Sequence, residues 1–447
     1  MFKKVLIANR GEIALRVIRA CKELGIETVS VHSTADANSL HVRFADHSIC
    51  IGPPQATASY LHLPAVMSAI ELSGADAVHP GYGFLAENAE FARDCARLGV
   101  TFIGPSPEQI EQMGDKATAK ATVKAAGIPL VPGSDGLLSS VEEAALVAEQ
   151  IGYPVLLKAT AGGGGKGMRI ANDAEALASA FTVAQSEALA CFGNGDLYME
   201  KMVVQPRHIE VQVMGDQFGN VVHFGERECS LQRRHQKVLE EAPSPLVDEE
   251  MRTSIGQAAV DAAKAIGYSS AGTVEFLADP DRNFYFIEMN TRIQVEHPIT
   301  EMITGVDLVK TMIRSAAGEP LPFKQEDIEL KGHAIECRIN AEDPATFAPS
   351  PGNITGYHEP GGYGVRVDSW VHDRAKILPF YDSLLAKLVT WGENREEAIR
   401  RMRWALDEYV IEGVKTTVPF HQGVLKDEEF LSGTFDTGFI ARYLERQ

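Results

Sequence analysis

No two of the chain's six cysteines are close in sequence. Positions 21, 50, 95, 191, 229 and 337 form no C-x-x-C pair. That excludes a disulfide framework and a Cys-based zinc site, and it fits a reducing cytoplasm. Apolar runs are short, and none reaches the ~20 residues that span a bilayer. Met1-Phe2-Lys3-Lys4 leads straight into a strand-like segment, without the apolar region of a signal peptide. Positive charge is in deficit: 42 Lys and Arg against 61 Asp and Glu give a net charge of -19. Neither nucleic acid nor an anionic membrane suits such a chain as its main partner, although a local basic pocket is compatible with it. Low-complexity tracts and fixed-period repeats are missing. What is left is 447 residues, 45% hydrophobic and 23% charged, enough for two or three ordinary globular domains.

Two nucleotide-binding signatures are also missing. Val5 to Ala8 reads as a buried strand, followed by a turn at Asn9-Arg10-Gly11. Ile13, Val17, Ala20, Cys21 and Leu24 then mark a helix that stops at Gly25, before a strand over Thr28 to His32. This is a parallel βαβ unit, and a helix at 65–72 with a strand at 75–79 extends it. Only Gly11 stands where G-x-G-x-x-G would be needed, so the fold does not imply NAD. Gly162 to Gly167 carries Lys166, but Gly167 follows the lysine where Walker A needs Ser or Thr. The spacing places this loop between strands ending at Ala159 and starting at Met168, as a glycine-tipped hairpin whose N–H groups approach phosphates. A flexible surface hairpin is the competing account.

Phe284 to Pro298 alternates with period two when written as an extended strand. One face then carries Glu288, Asn290, Arg292, Gln294 and Glu296. Buried polar groups need partners, so this row points to a charged ligand along the strand. Residues 205–240 and 272–290 alternate as an antiparallel sheet would, with a turn at Asp279 to Asn283. That hairpin brings Glu275 toward Glu288 and Asn290, hard oxygen donors suited to Mg²⁺ on nucleotide phosphates. A cross-strand carboxylate pair relieved by Arg292 is the alternative. Lys158 sits among Leu156, Leu157 and Ala159, and Lys116 opens a helix at 115–126. Gln232 to Lys237 is a compact basic run in which His235 and Lys237 share a face if the segment is extended. Near 333–340 another strand puts Ile335, Cys337 and Ile339 on one face and Glu336, Arg338 and Asn340 on the other. An ion pair between Glu336 and a neighbour would account for Arg338. The last clear helix is at 395–408.

Together these segments resemble the biotin carboxylase family. The resemblance rests on Ile7 to Ala14, His79 to Leu85, Met113 to Lys116, the glycine loop, Gln232 to Lys237 and Glu288 to Pro298, in order along the chain. It implies an α/β and α+β chain: a Rossmann-like domain at 1–114, an ATP-grasp domain at 115–323 with a lid at about 131–203, and a carboxylase C-terminal domain at 333–442. The activity implied is phosphorylation of bicarbonate by ATP to carboxyphosphate, then carboxylation of biotin on a carrier protein. By the same resemblance Lys116, Lys158, Gly164, Gly165, Lys166 and Gly167 hold the phosphates. Glu200, Lys201, His208, Gln232, His235 and Leu277 surround the rest of the nucleotide. Glu275, Glu288 and Asn290 carry one or two Mg²⁺ or Mn²⁺ ions. Lys237, Arg292, Gln294 and the Val295 backbone bind bicarbonate, with Glu296 as general base. Arg338 stabilises the biotin enolate and Tyr82 lines the biotin pocket.

No Met-Lys-Met biotinylation site occurs, and little chain follows the carboxylase region. The expectation is therefore a cytoplasmic stand-alone subunit of acetyl-CoA carboxylase, serving fatty-acid synthesis. Its partners would be a biotin carboxyl carrier protein and a carboxyltransferase. A homodimer is implied, with Arg19, Glu23 and Arg366 as interface positions. Two rivals remain: a carbamoyl-phosphate synthetase-like ligase, which would share the phosphate and metal residues, and a non-catalytic nucleotide-sensing module, which should have lost its metal carboxylates or its base.

Overall fold

The computed structural model describes residues 1–159 and 168–447. Val5, Leu6 and Ile7 are completely buried, as a strand covered on both faces must be. They belong to β1 (Lys4–Ile7), which is joined through the helix Gly11–Glu23 to β2 (Glu27–Ser33). The helix begins at Gly11 and is followed by Gly25, at φ 68° and 70°, a region that side-chain-bearing residues avoid. With β3 (His47–Gly52), β4 (Ala77–His79) and β5 (Thr101–Phe102) the sheet runs β3-β2-β1-β4-β5, all parallel. Val5 and Ile7 pack with Ile13 and Val17 on one face, and Leu6 with Val66, Ile70 and Phe91 on the other. The doubly wound expectation therefore holds. Asp115 caps the next helix, Lys116–Ala125, by accepting from the Thr118 N–H at 2.7 Å.

The described residues form two compact units. One is Met1–Ile128, Arg207–Phe276 and Ile287–Gln447; the other is Pro129–Pro206 with Leu277–Phe286. In the second unit β6 (Val155–Ala159) pairs antiparallel with β7 (Met168–Ala171) and with β8 (Leu197–Lys201). Leu157, Leu197 and Met199 pack beneath the helices Val141–Ile151 and Ala174–Phe192, through Ala144, Ala148 and Phe181. The glycine run Gly162 to Gly167 lies outside the described residues.

The first unit continues through β9 (Arg207–Gly215), β10 (Val221–Arg233) and β11 (Gln236–Ala242). After them come β12 (Ser270–Ala278) and β13 (Phe284–Asn290), of which Leu277, Ala278 and Phe284 to Phe286 count with the second unit, and β14 (His333–Asn340). With the strands Leu384–Gly392 and Val365–Ser369 they make one eight-stranded sheet. Its order is β13-β12-β9-β10-β11-β14, then Leu384–Gly392, then Val365–Ser369. As expected, Ile335, Cys337 and Ile339 of β14 face an apolar core, shared with Met402 and Leu406 of the helix Arg395–Glu408. The helix His297–Thr304 packs on the sheet through Ile299 and Ile303 against Ala242, Ala334 and Val389.

One buried carboxylate fastens this layer. Glu241 on β11 accepts from His333 Nε2 at 2.7 Å and from Arg395 Nε at 2.7 Å. Burial alone would raise this carboxyl, but Arg395 and His333 bring it down to about 2. A lowered folded-state value means stability that is complete above the ordinary glutamate range and is lost as the pH falls through it. Between pH ~4.3 and ~2, urea unfolding should show the wild type losing on the order of 3 kcal/mol more than Glu241→Gln. Parallel acid-stability curves for the two proteins would refute this.

Candidate active site

β9 carries His208, Glu210 and Gln212 at alternate positions, and all three are buried. Arg227 stands directly opposite Glu210 on β10. Its guanidinium is fully buried, and each of its three nitrogens has a partner: Nε meets Glu210 Oε1 at 2.5 Å, Nη1 meets Gln212 Oε1 at 2.7 Å and Thr300 Oγ1 at 3.0 Å, and Nη2 meets Thr273 Oγ1 at 3.1 Å. Removing such a cation would strand Glu210 in the interior. The second Glu210 oxygen accepts from Lys237 Nζ at 2.5 Å.

Lys237 also reaches Glu275 Oε1 at 3.0 Å and Glu296 Oε1 at 2.7 Å. The other Glu296 oxygen accepts from Arg338 Nη2 at 2.9 Å, while Arg338 Nε donates to Glu240 Oε1 at 2.7 Å. Arg338 is thus paired with Glu240 and Glu296, not with Glu336. Glu296 is completely buried. Burial raises a carboxyl, but Lys237, Arg338 and Arg227 outweigh it and hold Glu296 well below the usual range. Burial opposes charge on Lys237 too, yet Glu210, Glu296 and Glu275 keep its ammonium protonated far above the ordinary range. Glu296 and Lys237 therefore hold each other in the charged form.

The route by which the polar row reaches this site differs from the sequence expectation. The strand ends at Asn290, and residues 291–296 are turn and loop leading into the helix His297–Thr304. Pro298 starts that helix and has no N–H to extend a ladder, so the alternation of polar residues survives without the strand. In this loop Arg292 Nε donates to Glu87 Oε2 at 2.8 Å. The Val295 carbonyl accepts from Lys387 Nζ at 3.0 Å. Gln294 is buried, and among the described residues its Nε2 meets no acceptor. Arg292 stands two residues away in the same loop, and Lys237 and Arg338 both bind Glu296 of that loop, so a buried amide donor left over there has the chemistry to meet a small anion.

Asn290 Nδ2 donates to Glu275 Oε1 at 2.8 Å, and His208 Nε2 lies 3.1 Å from Glu275 Oε2. Glu288 faces Lys116, whose Nζ is 3.7 Å from its Oε2. The hairpin thus joins Asn290 to Glu275, while Glu288 meets the lysine expected to hold phosphate. This set of hard oxygens fits Mg²⁺. Burial raises the Glu275 carboxyl, but Lys237 and His208 hold it well below its ordinary value, leaving it ionised for a cation.

Gln232 donates to the Cys229 carbonyl at 2.9 Å. His235 does not share a face with Lys237, contrary to the extended reading. Arg233 pairs with Gln236, so Arg234 and His235 form a two-residue hairpin turn, both at positive φ. His235 is therefore exposed at its tip. Tyr82 donates to buried Glu12, which is 3.2 Å from Lys387. In the second unit Lys158 pairs with Glu200, and Lys201 Nζ donates to the carbonyls of Gly152 and Tyr153 at 3.0 and 3.2 Å. Leu277 is half-buried at the end of β12. Gly164, Gly165, Lys166 and Gly167 lie outside the described residues. Of the interface candidates, Arg366 pairs within the chain with Asp368 and Glu301, and Glu23 with Lys310; Arg19 is exposed.

The sequence reading missed Glu210, Arg227, Glu240, Lys387, Glu12 and Glu87. Two of these left a signal. His208, Glu210 and Gln212 alternate within an otherwise apolar strand, and Lys387 is a lone cation inside Leu384-Leu385-Ala386-Lys387-Leu388-Val389. The others are found only by bringing distant segments together.

Residues 1–110 match the family model described as biotin carboxylase, N-terminal domain, and 336–442 match the biotin carboxylase C-terminal domain. Residues 115–324 match the ATP binding domain of carbamoyl-phosphate synthase L chain. Biotin carboxylase 1 of Bacillus subtilis is 56% identical over 99% of both chains. One of the pyruvate carboxylase subunits of Methanothermobacter thermautotrophicus is 56% identical over 99% of this chain and 90% of its own. Among solved structures, the biotin carboxylase domain dimer of Hydrogenobacter thermophilus 2-oxoglutarate carboxylase, in complex with MgADP, ADP and bicarbonate, aligns with a TM-score of 0.88. It is 55% identical, and the match covers 99% of this chain and 98% of that one. With its ATP-grasp segment flanked by both carboxylase-specific domains, and not by those of a carbamoyl-phosphate synthetase, the chain belongs to the biotin carboxylase family of ATP-dependent ligases.

Proposed function

We propose that this biotin carboxylase is one subunit of acetyl-CoA carboxylase, acting in the cytoplasm on biotin held by a separate carrier protein and supplying a carboxyltransferase that makes malonyl-CoA. The observation that carries the site chemistry is Glu296, with one oxygen on Lys237 and the other on Arg338, in a loop that also offers the Gln294 Nε2, which meets no acceptor among the described residues. Full-length similarity to a curated biotin carboxylase supports this reading. Service to a pyruvate carboxylase is the second reading, because a relative so named is equally identical.

Bicarbonate would sit against Lys237, Arg292, the Gln294 Nε2 and the Val295 backbone. An anion that draws Lys237 and Arg338 to itself takes from Glu296 the cations that suppress its basicity. Its proton affinity then rises where a proton must be accepted. The base is therefore armed by the substrate. Lys116, Lys158 and the glycine loop from Gly164 to Gly167 would neutralise the phosphates of ATP. Glu200, Lys201, His208, Gln232, His235 and Leu277 would surround its base and ribose. Glu275, Glu288 and Asn290 would hold one or two Mg²⁺ or Mn²⁺ ions, which supply charge neutralisation during phosphoryl transfer. Once carboxyphosphate releases CO₂, the remaining phosphate removes the ureido proton of biotin. Arg338 would then steady the enolate oxygen that attacks CO₂, with Tyr82 beside the biotin rings. Carboxyphosphate must be kept from water, so the segment 131–203 would close over the nucleotide.

ADP release from ATP and bicarbonate should rise with free biotin. Glu296→Ala and Arg338→Ala should each cost roughly 10²–10⁴-fold in this biotin-dependent rate while ATP binding, read by calorimetry, survives. Wild-type turnover in either variant removes its assigned role. Hydrogen exchange across 131–203 should slow on ATP binding as one block; profiles that superimpose with and without ATP count against closure. Reconstitution with purified carrier and transferase subunits should carboxylate acetyl-CoA. Pyruvate as the only acceptor selects the second reading.

A further inference from the structure

Three buried carboxyl oxygens beside the site find no hydrogen-bond partner among the described residues: Glu240 Oε2 and both oxygens of Glu336. They belong to facing residues. Glu240 on β11 and Glu336 on β14 are direct antiparallel partners, and both are completely buried. Side chains so placed share one face of the sheet, with Cβ atoms about 5 Å apart. Two ionised carboxylates at that separation in the interior, with a donor on only one of their four oxygens, would repel strongly. A proton between them removes the repulsion and gives two of the three orphaned oxygens a partner.

We propose that Glu240 and Glu336 share one proton, and that this acid–carboxylate pair is a positioning device for Arg338. Glu240 supplies the contact, because its Oε1 accepts from Arg338 Nε at 2.7 Å. Glu336 keeps Glu240 turned toward the arginine by donating to its other oxygen. The proton stays in place through the reaction. Its effect is on charge: Arg338 already answers Glu240 and Glu296, and a third ionised carboxyl would give an anion-binding cavity a negative wall.

The surroundings favour a retained proton. Burial pushes Glu240 up to about 7, against the pull of Arg338, with ionised Glu296 adding to the rise. Burial pushes Glu336 well above the carboxylate range, although Lys387 on the next strand draws it down. From the helix His297–Thr304 the titratable groups are His297 and Glu301, and burial beside Lys387 keeps His297 neutral. From β10, Cys229 is held as the thiol, first by burial and then by Glu210. Lys237 on the same strand as Glu240 is fully engaged by Glu210, Glu275 and Glu296. A carboxyl raised in the folded state binds its proton more tightly than in the unfolded chain, so the pair loses it only on the alkaline side.

Infrared difference spectra of the full chain at neutral pH should contain a protonated-carboxyl C=O stretch that is lost in Glu336→Gln. In the wild type, KM for bicarbonate should climb roughly tenfold as alkali ionises the pair. In Glu336→Gln, which stays neutral and still donates to Glu240, that climb should disappear. Glu336→Ala should lower kcat roughly tenfold by freeing Glu240, with ATP affinity unchanged, and Gln at the same position should restore it. A wild-type spectrum without the band, or KM profiles that superimpose in wild type and Glu336→Gln, overturns the proposal. The spectrum needs no turnover, so a failure of the bicarbonate chemistry itself would be recognised separately.

Discussion

The site depends on one requirement: charge taken out of water must be met by opposite charge at hydrogen-bond distance. Glu296 could not stay ionised in the interior alone, and it does so because Lys237 and Arg338 each take one of its oxygens. Those two cations are in turn held by Glu210, Glu275 and Glu240, and Glu210 by Arg227. The chain of pairs crosses β9, β10, β11, β12 and β14 and ends in the loop before His297. Reactive groups are fixed by partners that are fixed themselves, which is what a preorganised site requires. The acidity that dominates the composition serves here in a different way from the surface, as the counter-charge for buried cations.

Much of this was legible from the residues. The parallel N-terminal sheet followed from a strand–helix–strand pattern that opens on the apolar run Val5 to Ala8. The hairpin around Asp279 to Asn283 followed from its turn residues, and Asp279 indeed exchanges hydrogen bonds with Asn283. The two faces of β14 followed from period two. Periodicity failed where the backbone changed state while the polar alternation continued, at Asn290 and again at Arg234-His235. In both places short-range pattern reports which residues are polar but not whether the chain is extended. A proline at a helix start and a pair of positive-φ residues decided the matter.

What remained hidden was of a different kind. Arg227 meets Thr273 and Thr300, and Arg338 meets Glu240 and Glu296, across sequence separations that no window spans. Glu87 in the N-terminal domain holds Arg292 nearly half a chain away. The acids that pair these cations are ordinary in the sequence, and they become informative only when the fold shows what they meet.

Lys387 carries a consequence for how the polypeptide is divided. This fully buried ammonium, on a strand of the C-terminal segment, donates to the Val295 carbonyl and faces Glu12 at the start of the first helix. Three stretches of sequence that family comparison treats as separate modules are therefore knotted at one atom. A fragment cut at any module border would expose an unmatched charge where the loop before His297 has its anchor. Recombination between relatives should consequently respect the trio of Glu12, Val295 and Lys387 as an indivisible inheritance.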